Sequence, residues 1–193
     1  MPQHQSKDAG FAYLAIHDFF DCYHLHSAAK ELENIIDAAC SPHSWKVKAP
    51  AEKLFFIQQL GKLCKAALFI AGSQDKKHGV ILGKTPNKIA AIYHLNATAD
   101  YSAPVQAWQC FPRHLTSGQY YNPYKALKKF AGYFTRKQWH KNLKCLFVYA
   151  FNNETMDGEG AYSAAEILII RKGLFQLLEA CYLIESRTCK NKK

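Results

Sequence analysis

Apolar residues recur at helical spacing along most of this chain, and no stretch alternates apolar and polar positions over a sustained run. Phe56, Leu60, Leu63, Ala67 and Ile70 form one such stripe, widened by Phe55, Leu68 and Ala71. They predict a core helix that opens at Pro50, a good first-turn residue, and closes at Gly72-Ser73. A last long helix opens at the capping-box pattern Ser163-x-x-Glu166 and runs to about Ser186, with Ile167, Ile170, Leu174, Leu177, Leu178, Cys181 and Ile184 as its buried stripe. A first helix is expected from about Phe11 to Cys40, ending at Ser41-Pro42.

Between these, Thr85-Pro86 caps and opens a helix to about Ala97. The stretch from Asp100 to Gln119 carries Pro104, Pro112 and Gly118 and suits short helices and turns. Asn122-Pro123 opens another helix, and Thr135 caps one that runs to about Phe151. Val80-Ile81-Leu82 is at most a brief strand. The fold class is all-α: a single-domain bundle of about five to seven helices, with long first, second and last helices. Residues 1–10 are expected to be a flexible N-terminus, 11–187 the helical domain, and 188–193 a basic tail.

The first helix holds an inconsistency. Its second half has the apolar stripe Ala28, Leu32, Ile35, Ile36 and Ala39. Extended backwards, that stripe passes through His17, Asp21 and His24, whereas the apolar side of the first half is Ile16, Phe19, Phe20 and Tyr23. Either the helix breaks near His24 or the polar trio points inward. An inward trio is a ligand set for a divalent transition metal or an acid/base site between helices. His94, His114, His140, Glu52 and Glu166 are the further residues that could complete it.

Composition narrows the class. Hydrophobic residues make up 49% and charged residues 21%, enough apolar material for a core without cross-links. The seven cysteines include no CxxC pair and read as reduced thiols. The start of the chain has no signal-peptide pattern, and Leu54 to Ala71 carries Lys62 and Lys65, which reads as too short and too charged a segment to span a bilayer. A cytoplasmic protein that needs no cofactor and touches no membrane is the expectation.

Charge changes the picture more. The formal net charge is +10, and it resides in the middle of the chain: residues 76–153 hold twelve Lys/Arg and one acid, Asp100. From Tyr101 to Asn153 there are eight Lys/Arg and no acid at all. On the helix after Thr135, Lys137, Lys141 and Lys144 fall within about 60° of one another, opposite Trp139, Leu143, Leu146 and Ala150. On the helix after Asn122, Leu127, Phe130, Ala131 and Phe134 point in, while Lys125, Lys128, Lys129 and Arg136 can point out. Side by side, two such helices make a broad positive surface. Tyr120, Tyr121 and Tyr124 precede the lysines and could stack on bases; Arg113 and His114, after Pro112, could contact an anion.

The resulting expectation is a non-enzymatic or regulatory module that binds DNA, RNA or another polyanion through residues 113–144. One alternative is a helical-bundle enzyme, metal-dependent or not, centred on His17, Asp21 and His24. Another is an interaction module for an acidic protein partner. Gly79 to Thr85 approaches a phosphate-binding loop but is one residue short between its glycines and lacks the preceding strand. Small basic helical chains resemble this one among the HEPN ribonucleases, in class and size only. Arg136 and His140 stand closer together than the Arg…His motif of that family requires, so no catalytic role carries over. The acidic loop with Glu154, Asp157 and Glu159 lacks calcium-loop spacing.

Overall fold

The computed structural model describes residues 3–42, 50–73, 111–152, 154–157 and 162–189. Among these it has seven helices and no strand: α1 (Gln3–Cys22), α2 (Leu25–Ala39), α3 (Pro50–Gly72), α4 (Ser117–Tyr121), α5 (Pro123–Tyr133), α6 (Arg136–Phe151) and α7 (Ala164–Cys189). The protein is all-α, as its apolar periodicity predicts. The expected helix from Thr85, the Gly79–Thr85 turn, the strand at Val80 and His94 lie outside the described residues.

The first predicted helix is two helices, and the first of them starts at Gln3 rather than near Phe11. α1 buries Ala12, Ile16 and Phe19; α2 buries Leu25, Ala28, Leu32, Ile35, Ile36 and Ala39. On one unbroken helix these stripes would lie about 180° apart at 100° per residue. Both can face the same core only if the chain turns between them. It turns at His24, whose backbone is extended (φ −68°, ψ 151°) and whose carbonyl accepts from the Ser27 hydroxyl at 2.8 Å. An aromatic cluster of Phe19, Tyr23 and Phe56 closes over the corner.

The other boundaries follow from caps. Asn122 Oδ1 accepts from the Tyr124 N–H, with Pro123 in the first turn of α5. Thr135 and Gln138 exchange side-chain and backbone hydrogen bonds at the start of α6. Ser163 and Glu166 do the same before α7. Thr116 and Gln119 form a third such box before α4, a Thr-x-x-Gln pattern that periodicity alone passes over in so short a helix.

α1 packs along α3, α2 along α6, α5 along α7, and α3 along α5. α3 is a core helix as its stripe predicts, packed on α1, α5, α6 and α7, and α7 is a second one, more completely buried. α7 meets α1, α2, α3, α4 and α5, and every residue from Gly173 to Cys181 is buried. α3 buries its predicted stripe yet leaves Leu54, Phe55, Lys62, Lys65 and Phe69 exposed, so Phe55 belongs to the surface rather than to the core. Despite its lysines, α3 is long and apolar enough, by length and composition alone, to cross a membrane. Here its apolar stripe is committed to the bundle: Leu60, Leu63 and Ala67 are fully buried.

Candidate polyanion interface

α5 and α6 carry the acid-free basic segment. α5 turns Ala126, Leu127 and Phe130 into the core; α6 turns in Trp139, Leu143, Leu146 and Ala150. Helical spacing then leaves Lys125, Lys128 and Lys129 on the outside of α5, and Arg136, Lys137, Lys141 and Lys144 on the outside of α6. All seven are exposed. None of them forms an ion pair among the described residues. Lys129 lies 6.0 Å from the centre of the Tyr133 ring, its one aromatic neighbour among the described residues.

The two helices do not run side by side. α5 is flanked by α7 and α3, and α6 by α2 and α3. They meet at the corner Phe134-Thr135, which Trp139 pins. Its ring stacks on Phe130 at 4.2 Å and meets Phe134 edge-on at 5.1 Å, and its indole N–H donates to the Phe130 carbonyl at 3.1 Å. The positive surface is therefore two stripes joined at a bend. Beside the bend, between α3 and the corner, lies a pocket of about 310 Å³ bordered by Lys65, Phe69, Phe134 and Arg136.

No protein-family model, curated protein or solved structure matches the chain. The chemistry of its surfaces has to be read from its own residues.

Two of the expected contact residues have side chains engaged within the protein. Tyr120 is 6% exposed, packed against Phe111 and beneath the Arg187 guanidinium, so its face is closed to a base. Arg187 also donates to the Tyr120 carbonyl at 2.8 Å and so ties the end of α7 to α4. His114, by ring and backbone, and Arg113, by its backbone N–H alone, belong to an anion site whose anion is the protein's own. The buried Glu179 carboxylate of α7 accepts from the backbone N–H groups of Arg113 (2.7 Å), His114 (2.8 Å) and Leu115 (3.1 Å). His114 Nδ1 stands 2.7 Å from the same carboxylate, and its ring stacks on Phe175 at 4.5 Å. Gln176 adds a bond from its amide to the His114 carbonyl at 3.1 Å. A glutamate on the most buried helix is costly unless fully hydrogen-bonded, and here the loop supplies that compensation. Tyr121 remains exposed, while Tyr124 is half-buried with its hydroxyl 3.2 Å from that of Tyr13.

The polar trio of the first segment does not form an inward site. α1 ends at Cys22, so the helical register joining His17, Asp21 and His24 stops before His24. All three are exposed. His17 Nδ1 is 2.8 Å from Glu185 of α7, and Nε2 is 3.5 Å from Asp21. The Glu185 carboxylate, first by hydrogen bond and then by charge, raises the His17 pKa above 6.5. Among the described residues no group of three or more His, Cys, Asp or Glu side chains is arranged to hold a metal ion. Cys64 and Cys181 are buried thiols whose pKa burial drives up, which makes them poor nucleophiles.

Proposed function

We propose that the protein is a non-enzymatic helical module that holds a nucleic acid, or another polyanion, on the exposed cations of α5 and α6. The observation that carries this reading is the state of Lys125, Lys128, Lys129, Arg136, Lys137, Lys141 and Lys144. All seven face outward, and none has a carboxylate within ion-pair distance among the described residues; Lys141 alone acts on one from farther off, Glu166 of α7. Surface lysines of an ordinary solvated face are interspersed with acids; a run of 53 residues without one leaves a field that favours an external anion. Phosphates satisfy such cations with release of counterions, so the attraction needs no sequence reading.

The geometry narrows the expected surface. His114 and Tyr120 contribute less to it, because Glu179 engages the His114 ring and Arg187 covers the Tyr120 face, whereas Arg113 gives Glu179 only its backbone N–H and keeps an exposed side chain. The lysines of α6 are the part that can be removed with least effect on the fold, because none touches the core. A Lys137→Ala/Lys141→Ala/Lys144→Ala variant should lower the log–log salt slope of oligonucleotide binding by about 3, one for each lost phosphate contact. Its stability should change by less than about 0.5 kcal/mol per substitution. An unchanged slope in a folded triple variant would remove α6 from the interface.

A further inference from the structure

We propose that the pocket between α3 and the α5–α6 corner receives an unstacked nucleobase, with adjoining phosphates on Lys65 and Arg136, so that single strands bind in preference to duplexes. This rests on the polyanion reading above and adds to it a ligand class and a residue, Lys65, outside the basic segment.

The pocket holds about 310 Å³, the lower end of the size range for small-molecule sites, roughly 300–1,000 Å³. Its walls are Leu68 and Phe69 of α3 and Phe134. Phe69 is 38% exposed. A single exposed aromatic is ordinary, but this one forms the wall of a recess rimmed by two cations. Neither Lys65 nor Arg136 has a carboxylate partner among the described residues. Lys62 lies one helical turn from Lys65 on α3, and Lys128 one turn from Ala131 on α5; both are exposed. α3 has no acid after Glu52, so both flanks of the pocket are free of repulsion toward phosphate.

The site is also preformed. Phe134 is held edge-on by Trp139, which is itself stacked on Phe130, so little ordering is needed when a ligand arrives. The Thr135 hydroxyl on the lining is occupied in the α6 capping box, donating to Gln138 Oε1 at 2.8 Å and accepting from the Gln138 N–H at 3.3 Å. With Lys65 and Arg136 assigned to phosphates, the pocket offers aromatic surface for stacking and no uncharged side-chain group that reads a base edge. Such a site takes any unpaired base, and a duplex has none to give.

Fluorescence anisotropy of the full chain with an oligothymidylate and with an abasic deoxyribose-phosphate strand of equal length tests this. The base-bearing strand should bind about tenfold more tightly, the scale of one aromatic–base stack. Phe69→Ala should abolish that preference while leaving the abasic affinity unchanged, and Phe69→Trp should keep it; circular dichroism verifies that both variants fold. Equal affinity of the native protein for the two strands overturns the pocket and leaves the polyanion reading standing. A tenfold preference that survives in folded Phe69→Ala overturns it as well. Failure of both strands to bind at low salt overturns the polyanion reading itself.

Discussion

At the scale of single residues, three positions hold the structure in ways that can be measured. Gly173 lies under the Trp139 indole: a Cβ there would come within 2.8 Å of a ring atom. The ring is fully buried and wedged against Phe130 and Phe134, so it has nowhere to move. Gly173→Ala should cost about 1–3 kcal/mol in denaturant unfolding, the overpacking penalty prevailing over any gain in helix propensity. Glu179→Gln keeps the shape but sets an NH₂ group among backbone N–H donors. It should cost about 1.5–3 kcal/mol, the range for a hydrogen bond to a charged group. An unfolding midpoint equal to that of the native protein would show that the 113–115 loop does not depend on this carboxylate. His17 is the pH-sensitive position. Its folded pKa is raised above the ordinary 6.5 by Glu185. The pair's contribution is therefore complete below pH 6.5 and fades as pH rises through the raised value. In an NMR titration, Glu185→Gln should move the His17 midpoint down; no movement would mean that the pair does not form in solution.

At the scale of elements, the sequence marks its boundaries well where a side chain caps a helix. Asn122, Thr135 and Ser163 each stand where their hydrogen-bonding pattern predicts, and the stripe from Phe56 to Ile70 is buried throughout. The break at His24 carries neither proline nor glycine, yet the two apolar stripes on opposite sides place it: of the two readings the periodicity left open, a break near His24 and an inward polar trio, the first is the one found. The complete burial of α7 from Gly173 to Cys181 is less evident in the pattern. Gln176 and Glu179 lie outside the predicted apolar stripe, and the loop at Arg113–Leu115, distant in sequence, supplies the N–H donors to Glu179 and the carbonyl acceptor for Gln176 that let them be buried. The basic stripes were legible residue by residue, because an amphipathic helix fixes which lysines face out. Their relation was not: that α5 and α6 bend at Phe134-Thr135, with Lys65 of α3 beside the bend, depends on tertiary packing.

For the molecule as a whole, charge and fold are divided between different parts of the chain. α1, α2, α3 and α7 provide most of the buried surface, while α5 and α6 anchor one face each and present cations on the other. Seven exposed cations on that surface make a quantitative claim. For a ligand engaging most of them, affinity should fall on the order of a thousandfold between about 50 and 200 mM salt. The most direct test is a titration of the full chain with an oligonucleotide at those two salt concentrations. A steep loss of affinity with salt is the predicted result. No binding at low salt, or binding indifferent to salt, would contradict the assignment of α5 and α6 as a polyanion interface.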